Sequence, residues 1–148
     1  MTKILLEEVC EIKGRIGFRG YSKMDIVEKG QGAISLSPSN IKNNKLNFFK
    51  NTKINWKKYN ESPEIKISDG DVIFCKTASV GKIAFVENLP EKSTINPQLV
   101  VFKKIKCLNK FLFYYLSSSI FQNKLKSIVS GSSIPTLTQN KLGKLSIF

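Results

Sequence analysis

The sequence predicts an α+β domain: a twisted, largely antiparallel sheet with one long helix in its C-terminal half and long loops between strands. Three observations carry that prediction. Short runs of β-branched and aromatic residues recur through the first two thirds of the chain, each bounded by Gly, Pro, Asn, Ser or Asp. Only residues 109–129 hold apolar side chains at sustained helical spacing. The 148 residues, 41% of them hydrophobic, suffice for one core. No apolar run approaches the ~20 residues that span a bilayer.

Residues 4–12 place Leu5, Leu6, Val9 and Ile12 at the spacing of a short amphipathic helix or turn. Residues 13–22 contain Gly14, Gly17 and Gly20, too many for a helix interior, and read as an exposed loop. Residues 33–36 form a strand that stops at Ser37-Pro38-Ser39-Asn40. The lysine- and asparagine-rich stretch 40–60 reads as a long surface excursion, pinned to the body by Trp56 and Tyr59. Residues 64–67 lead through a turn at Asp69-Gly70 into a β-rich strand over 72–76. The loop Thr77-Ala78-Ser79-Val80-Gly81 joins it to residues 82–87, making a hairpin. Leu99-Val100-Val101-Phe102 is apolar at every position, which predicts a strand buried on both faces. Within 109–129, Leu112, Leu116, Ile120, Phe121, Leu125 and Ile128 line the inner face. Ser119, Gln122 and Lys126 mark the wet side, and Gly131 is placed to end the helix. A polar helical turn over 139–144 and a last strand over 145–147 complete the chain.

Charge gives the first functional indication. Twenty-four basic residues against eleven acidic ones leave a formal +13, which favours a polyanionic partner. Six lysines and no acid lie between Lys42 and Lys58, and nine lysines and no acid from Lys92 to the end. A compositional bias explains why lysine outnumbers arginine, but not why carboxylates are missing over so long a stretch. Cys10, Cys75 and Cys107 lie far apart without metal-ligand spacing, as small core residues in a reducing compartment. With no secretory signal in the first residues, the expected location is the cytoplasm, away from membrane.

Catalytic chemistry has little to work with. The absence of histidine removes Ser-His-Asp and Cys-His nucleophile activation and the usual zinc sites. Asp69 and Asp71 flank Gly70 and read as a tight turn. Ser79-Val80-Gly81-Lys82 matches S-x-x-K but sits between strands, without partner signatures. Gly81-Lys82 lacks both the upstream glycine and the following Ser/Thr of a phosphate loop. Asn96-Pro97-Gln98-Leu99 is not a methyltransferase loop of the N-P-P-Y kind. The sequence therefore reads as a binding module: not an enzyme, with no cofactor and no metal.

Five pieces in order carry a family resemblance along essentially the whole chain. Leu6-Glu7-Glu8-Val9-Cys10-Glu11-Ile12-Lys13-Gly14 is similar to an L-x-x-V-x-x-I-x-x-G opening, with its glycine one residue earlier, and Gly70-Asp71-Val72-Ile73-Phe74 with Gly81-Lys82 is like a G-D-[IVL]-[IVL] strand and glycine hairpin. Asn96-Pro97-Gln98-Leu99-Val100, then Tyr115-Leu116-Ser117-Ser118, and last Gly131-Ser132-Ser133-Ile134-Pro135-Thr136-Leu137 complete the set. In this order they resemble the target-recognition domain of type I restriction-modification specificity subunits. The resemblance implies the target-recognition-domain fold and sequence-specific binding of double-stranded DNA. It also implies methyltransferase and restriction subunits as partners. Family subunits carry two such domains, each followed by a long spacer helix. Here the chain stops at Phe148, so the expectation is one domain, 1–148, with the spacer helix absent and docking to the methyltransferase dependent on it.

Base reading needs planar donor forks, and the only two arginines, Arg15 and Arg19, share the glycine-rich loop with Phe18, Tyr21 and Lys23. That loop is the main candidate reader. Ser37, Ser39 and Asn40 form a second candidate loop, and Lys76, Thr77, Ser79 and Lys82 a third. Ser132, Ser133 and Thr136 form the fourth. Two other readings remain open. Phe18, Tyr21, Phe48, Phe49 and Trp56 would suit RNA or single-strand binding by stacking, and a basic surface would suit a protein-interaction module that regulates such a system.

Overall fold

The computed structural model describes residues 3–129 and 135–148. The strand β1 (Ile4–Leu5) passes directly into one helical turn, α1 (Leu6–Val9), and then β2 (Glu11–Gly14). After the glycine-rich segment come β3 (Ile26–Val27) and β4 (Gly32–Leu36). A hairpin of β5 (Ile41–Lys42) and β6 (Lys45–Leu46) precedes β7 (Thr52–Asn55) and α2 (Trp56–Glu61). A second hairpin, β8 (Val72–Cys75) and β9 (Ile83–Phe85), is followed by β10 (Ser93–Ile95) and β11 (Leu99–Lys103). The chain ends with α3 (Asn109–Ser117), α4 (Ser119–Val129), α5 (Gln139–Gly143) and β12 (Ser146–Ile147).

The fold class is α+β, as the sequence predicts, but the strands form two four-stranded sheets instead of one. Their orders are β10-β4-β7-β3 and β2-β11-β8-β9. Every described pairing is antiparallel except β4 with β10. β1 pairs with β12, Ile4 opposite Ile147, so the two ends of the chain meet.

Three layers follow from strand periodicity. Successive side chains in a strand point to opposite faces. On β8 and β11, Val72, Phe74, Val100 and Phe102 face the helices, joining Leu112, Leu116, Phe121, Leu125 and Leu142. Ile73, Cys75, Leu99 and Val101 face the other sheet, joining Ile34, Leu36 and Ile95. A strand that is covered on both sides must be apolar at every position, which is why the run from Leu99 to Phe102 reads as it does. The Phe74 and Phe102 rings stack at 5.9 Å between centroids. Burial of each such side chain stabilises the fold by about 1.5–3 kcal/mol.

Two expectations are corrected. The long helix is two helices, because Ser118 is extended (ψ 155) between them. The Ser118 backbone N–H still bonds Tyr115 O, while Ser118 Oγ accepts from Phe121 N–H at 3.4 Å and starts α4. The break resets the helical phase. Ile120, expected inside, is 74% exposed, whereas Phe121 is buried. Gln122, expected on the wet side, turns inward and donates to Leu116 O (2.8 Å) and Gly81 O (3.1 Å).

The stretch 40–60 is not one excursion. β7 is an interior strand with Ile54 fully buried. The β5–β6 hairpin turns on Asn43 and Asn44, both left-handed (φ 53 and 62), a conformation asparagine tolerates. Tyr59 is buried as expected, while Trp56 packs edge-on against it and stays partly exposed. Gly131 lies outside the described residues.

The turn reading of Asp69 and Asp71 holds. Gly70 has φ 96, Asp71 accepts from Ser68 N–H and pairs with Lys103 at 2.6 Å, and Asp69 accepts from Leu89 N–H. Cys10 and Cys75 are buried, Cys107 is half-buried, and all three are free thiols. Burial pushes the Cys10 thiol up to about 12, the Cys107 thiol adding to the effect, so Cys10 behaves as a small apolar residue. Among the described residues no helix is long and apolar enough to cross a membrane.

Candidate nucleic-acid interface

Strand directions decide which loops become neighbours. β4 and β10 run parallel and both finish at one end of the sandwich, where Leu36 lies opposite Ile95. β7 starts there, with Thr52 opposite Ser35. In the other sheet β2 and β8 finish and β11 and β9 start at the same end, through the pairs Gly14–Val100, Cys75–Leu99 and Phe74–Ile83. Loops 15–21, 37–40, 47–51, 76–82 and 96–98 therefore gather at one end. Hydrogen bonds tie them together: Asn96 N–H to Leu36 O (2.8 Å), Lys76 N–H to Gln98 O (2.9 Å) and Lys82 Nζ to Pro38 O (3.1 Å). Residues 135–138 join through Ala78 N–H to Pro135 O, Leu137 N–H to Lys76 O and a bridge between Thr77 and Thr136.

The charges separate along the same axis. No acid occurs between Glu28 and Glu61, between Asp71 and Glu87, or after Glu91, so these loops beyond residue 36 carry none. Asp69, Asp71, Glu87 and Glu91 flank the opposite strand ends, where Glu91 pairs with the nearly buried Lys53. Beyond residue 36 the loop end thus presents lysines without carboxylates among them, while Glu61 and Glu64 lie near Arg15.

The second, third and fourth candidate loops meet here. Ser39, Ser79, Lys82 and Thr136 are exposed, and Ser37, Lys76 and Thr77 are half-buried. Asn40 is buried: it accepts from Ser37 N–H and donates to Asn47 O (3.0 Å) and Lys50 O (2.8 Å). It braces the loop and presents no free edge. Ser132 and Ser133 lie outside the described residues.

The arginine loop is placed differently. Arg15 crosses to the β10 edge and donates from Nε and Nη2 to Ile95 O (3.1 and 3.0 Å) and from Nη2 to Thr94 Oγ1 (3.2 Å), over the Tyr21 ring. Burial lowers its pKa, while nearby Tyr21, Glu61 and Glu64 act the other way. Tyr21 shares a 2.7 Å hydrogen bond with Ser35. Arg15 and Tyr21 thus fasten the loop. Arg19 gives one N–H to Glu61 O (3.1 Å) and lies over the Phe18 ring, which is 83% exposed. Lys23 is exposed but sits toward the far end, beside Asp25, which accepts from Asn55. Arg15→Ala strips three bonds from buried acceptors, with an expected cost of about 2 kcal/mol. Arg19→Ala should cost less than ~1 kcal/mol. Thermal melts of the two variants check this ordering, and equal small shifts would contradict the fastening role.

Sequence reasoning passed over Lys42 and Lys50 as site residues and placed Phe49 only in a stacking alternative. With Ser39, Asn47 and Lys82 they line a groove of about 470 Å³. The signal was present in the acid-free lysine run, but only the sheet topology brings Lys82 beside Lys42 and Lys50. Among the described residues no group of three or more His, Cys, Asp or Glu could hold a metal ion.

The fold and its charge pattern define the class: a two-sheet α+β domain whose loops converge on one basic, carboxylate-poor end. The chain belongs to the type I restriction modification DNA specificity domain family, whose family model matches residues 1–148. No curated protein matches it. Among solved structures it is similar to the S subunit of a type I restriction-modification system from M. genitalium (TM-score 0.63, 14% identity) and to the HsdS subunit from Thermoanaerobacter tengcongensis (0.68, 19%). A third similar chain comes from a study of complex assembly and conformational transition of the type I R-M system (0.70, 17%). Each likeness covers 99% of this chain and 33%, 32% and 33% of those chains respectively, so this chain spans about a third of their length.

Proposed function

We propose that this chain is a target-recognition domain that binds double-stranded DNA sequence-specifically within a type I restriction-modification system. It catalyses nothing itself and directs partner methyltransferase and endonuclease subunits to the site. The observation that carries the reading is the gathering of loops from both sheets at one end, where lysines stand without carboxylates. Lysines supply phosphate contacts and salt-dependent affinity; base edges are read by the groups between them. The reading groups proposed are Arg19 and Phe18, with Ser37, Ser39, Thr77, Ser79, Thr136, Ser132 and Ser133, while Lys76 and Lys82 hold phosphates. Arg15, Tyr21 and Asn40 hold the loops in shape, and Lys23 stands at the margin. Competition between duplex, single-stranded DNA and RNA of equal length tests the ligand class. Preference for duplex supports the reading, and preference for single strands would transfer it to a stacking platform.

A further inference from the structure

Phe49 is 88% exposed, although burying a phenylalanine is favourable by about 1.5–3 kcal/mol. Its position is fixed, not frayed. Phe48 packs against the core between the sheets. Phe49 N–H donates to Asn47 Oδ1 (2.9 Å), and Asn51 Nδ2 donates to Phe48 O (2.8 Å). Buried Asn40 holds the carbonyls of Asn47 and Lys50 on either side. The loop therefore presents the ring at little further entropic cost. Unlike Phe18, which lies under Arg19, the Phe49 ring has no ring or cation partner among the described residues. Beside it the ammonium groups of Lys42 and Lys50 also lack partners among the described residues, and Lys82 uses one donor on Pro38 O.

We infer that Phe49 is a specificity-determining residue. Its ring makes an apolar contact to the bases of the duplex while Lys42, Lys50 and Lys82 hold the flanking backbone phosphates. This rests on the DNA-recognition reading and names the side chain that converts phosphate holding into base discrimination there. An exposed flat ring between cations suits a thymine methyl on a base edge in the major groove, which is reached once the phosphates position the groove.

The test compares the wild-type chain, Phe49→Ala and Phe49→Trp on a duplex selected by the wild type and on a random duplex, each across a salt series. Phe49→Ala is expected to weaken the selected duplex about ten- to thirty-fold at every salt concentration. The slope of log affinity against log salt should stay unchanged, and random duplex should lose less. Phe49→Trp should retain most of the preference. Phe49→Ala binding the selected duplex as the wild type does, or losing affinity only through a changed salt slope, would overturn this inference alone. Failure of the wild type to bind any duplex would remove the recognition reading along with it.

Discussion

Replacing Lys42, Lys50 and Lys82 together with alanine should lower duplex affinity on the order of a hundred-fold at about 0.1 M salt and flatten the salt slope by about 3. Each lysine that neutralises a phosphate releases a condensed counterion, so lost contacts appear in the slope as well as in the affinity. These three line one groove although Lys42, on the β5–β6 hairpin, and Lys50, in the loop after it, lie far in sequence from Lys82 in the β8–β9 hairpin. All three are exposed, so the fold should survive. The comparison is with Lys104→Ala, Lys106→Ala and Lys126→Ala combined, also exposed and outside the gathered loops. That variant loses the same charge, and its slope should fall far less. Equal slopes in the two variants would mean that overall charge, not the loop end, attracts DNA.

Gly32→Ala should destabilise the domain by about 3 kcal/mol, a large share of the ~5–15 kcal/mol that holds a typical domain together. Gly32 opens β4, a strand covered by neighbours on both edges. A Cβ there would lie 1.9 Å from Ile54 O and 2.8 Å from Val27 Cγ2. The first contact is with backbone, so no rotamer change relieves it, and β4 and β7 would have to separate. Gly17→Ala is the natural comparison, since nothing lies within 4 Å of its added Cβ. It should shift stability by no more than about 0.5 kcal/mol. Urea unfolding followed by circular dichroism measures both, and similar midpoints would show that the pairing of β4 with β7 is looser than its geometry indicates.

The parts of the fold that could be read from sequence are those whose burial is apolar. Leu99 to Phe102 and Val72 to Cys75 identify the central strands because both of their faces are covered, and the loop ending at Gly81 identifies the hairpin to the edge strand β9. β7 and β10 escaped because Thr52, Lys53 and Asn55, and Ser93 and Thr94, are polar. Their environments depend on distant residues: Lys53 is nearly buried by its pairing with Glu91, and Thr94 lies between Arg15 and Ile65 O. The helix break escaped because the apolar periodicity runs through Ser118 almost unchanged. The two arginines were visible as donor forks, but that Arg15 gives its fork to Ile95 and Thr94 depends on a contact across 79–80 residues. Similarly, Asn40 reads as a possible base contact until its loop closes around it. The basic character of the site was legible from the missing carboxylates, while its location depended on topology.

The most direct test of the central claim is selection of duplexes from a randomised pool by the purified chain at moderate salt. A recognition domain should enrich one short motif of ~3–5 base pairs, and the Lys42, Lys50 and Lys82 alanine variant should lose yield. Salt-sensitive recovery of duplexes without any enriched motif would contradict it, leaving a surface that holds phosphates and reads no sequence.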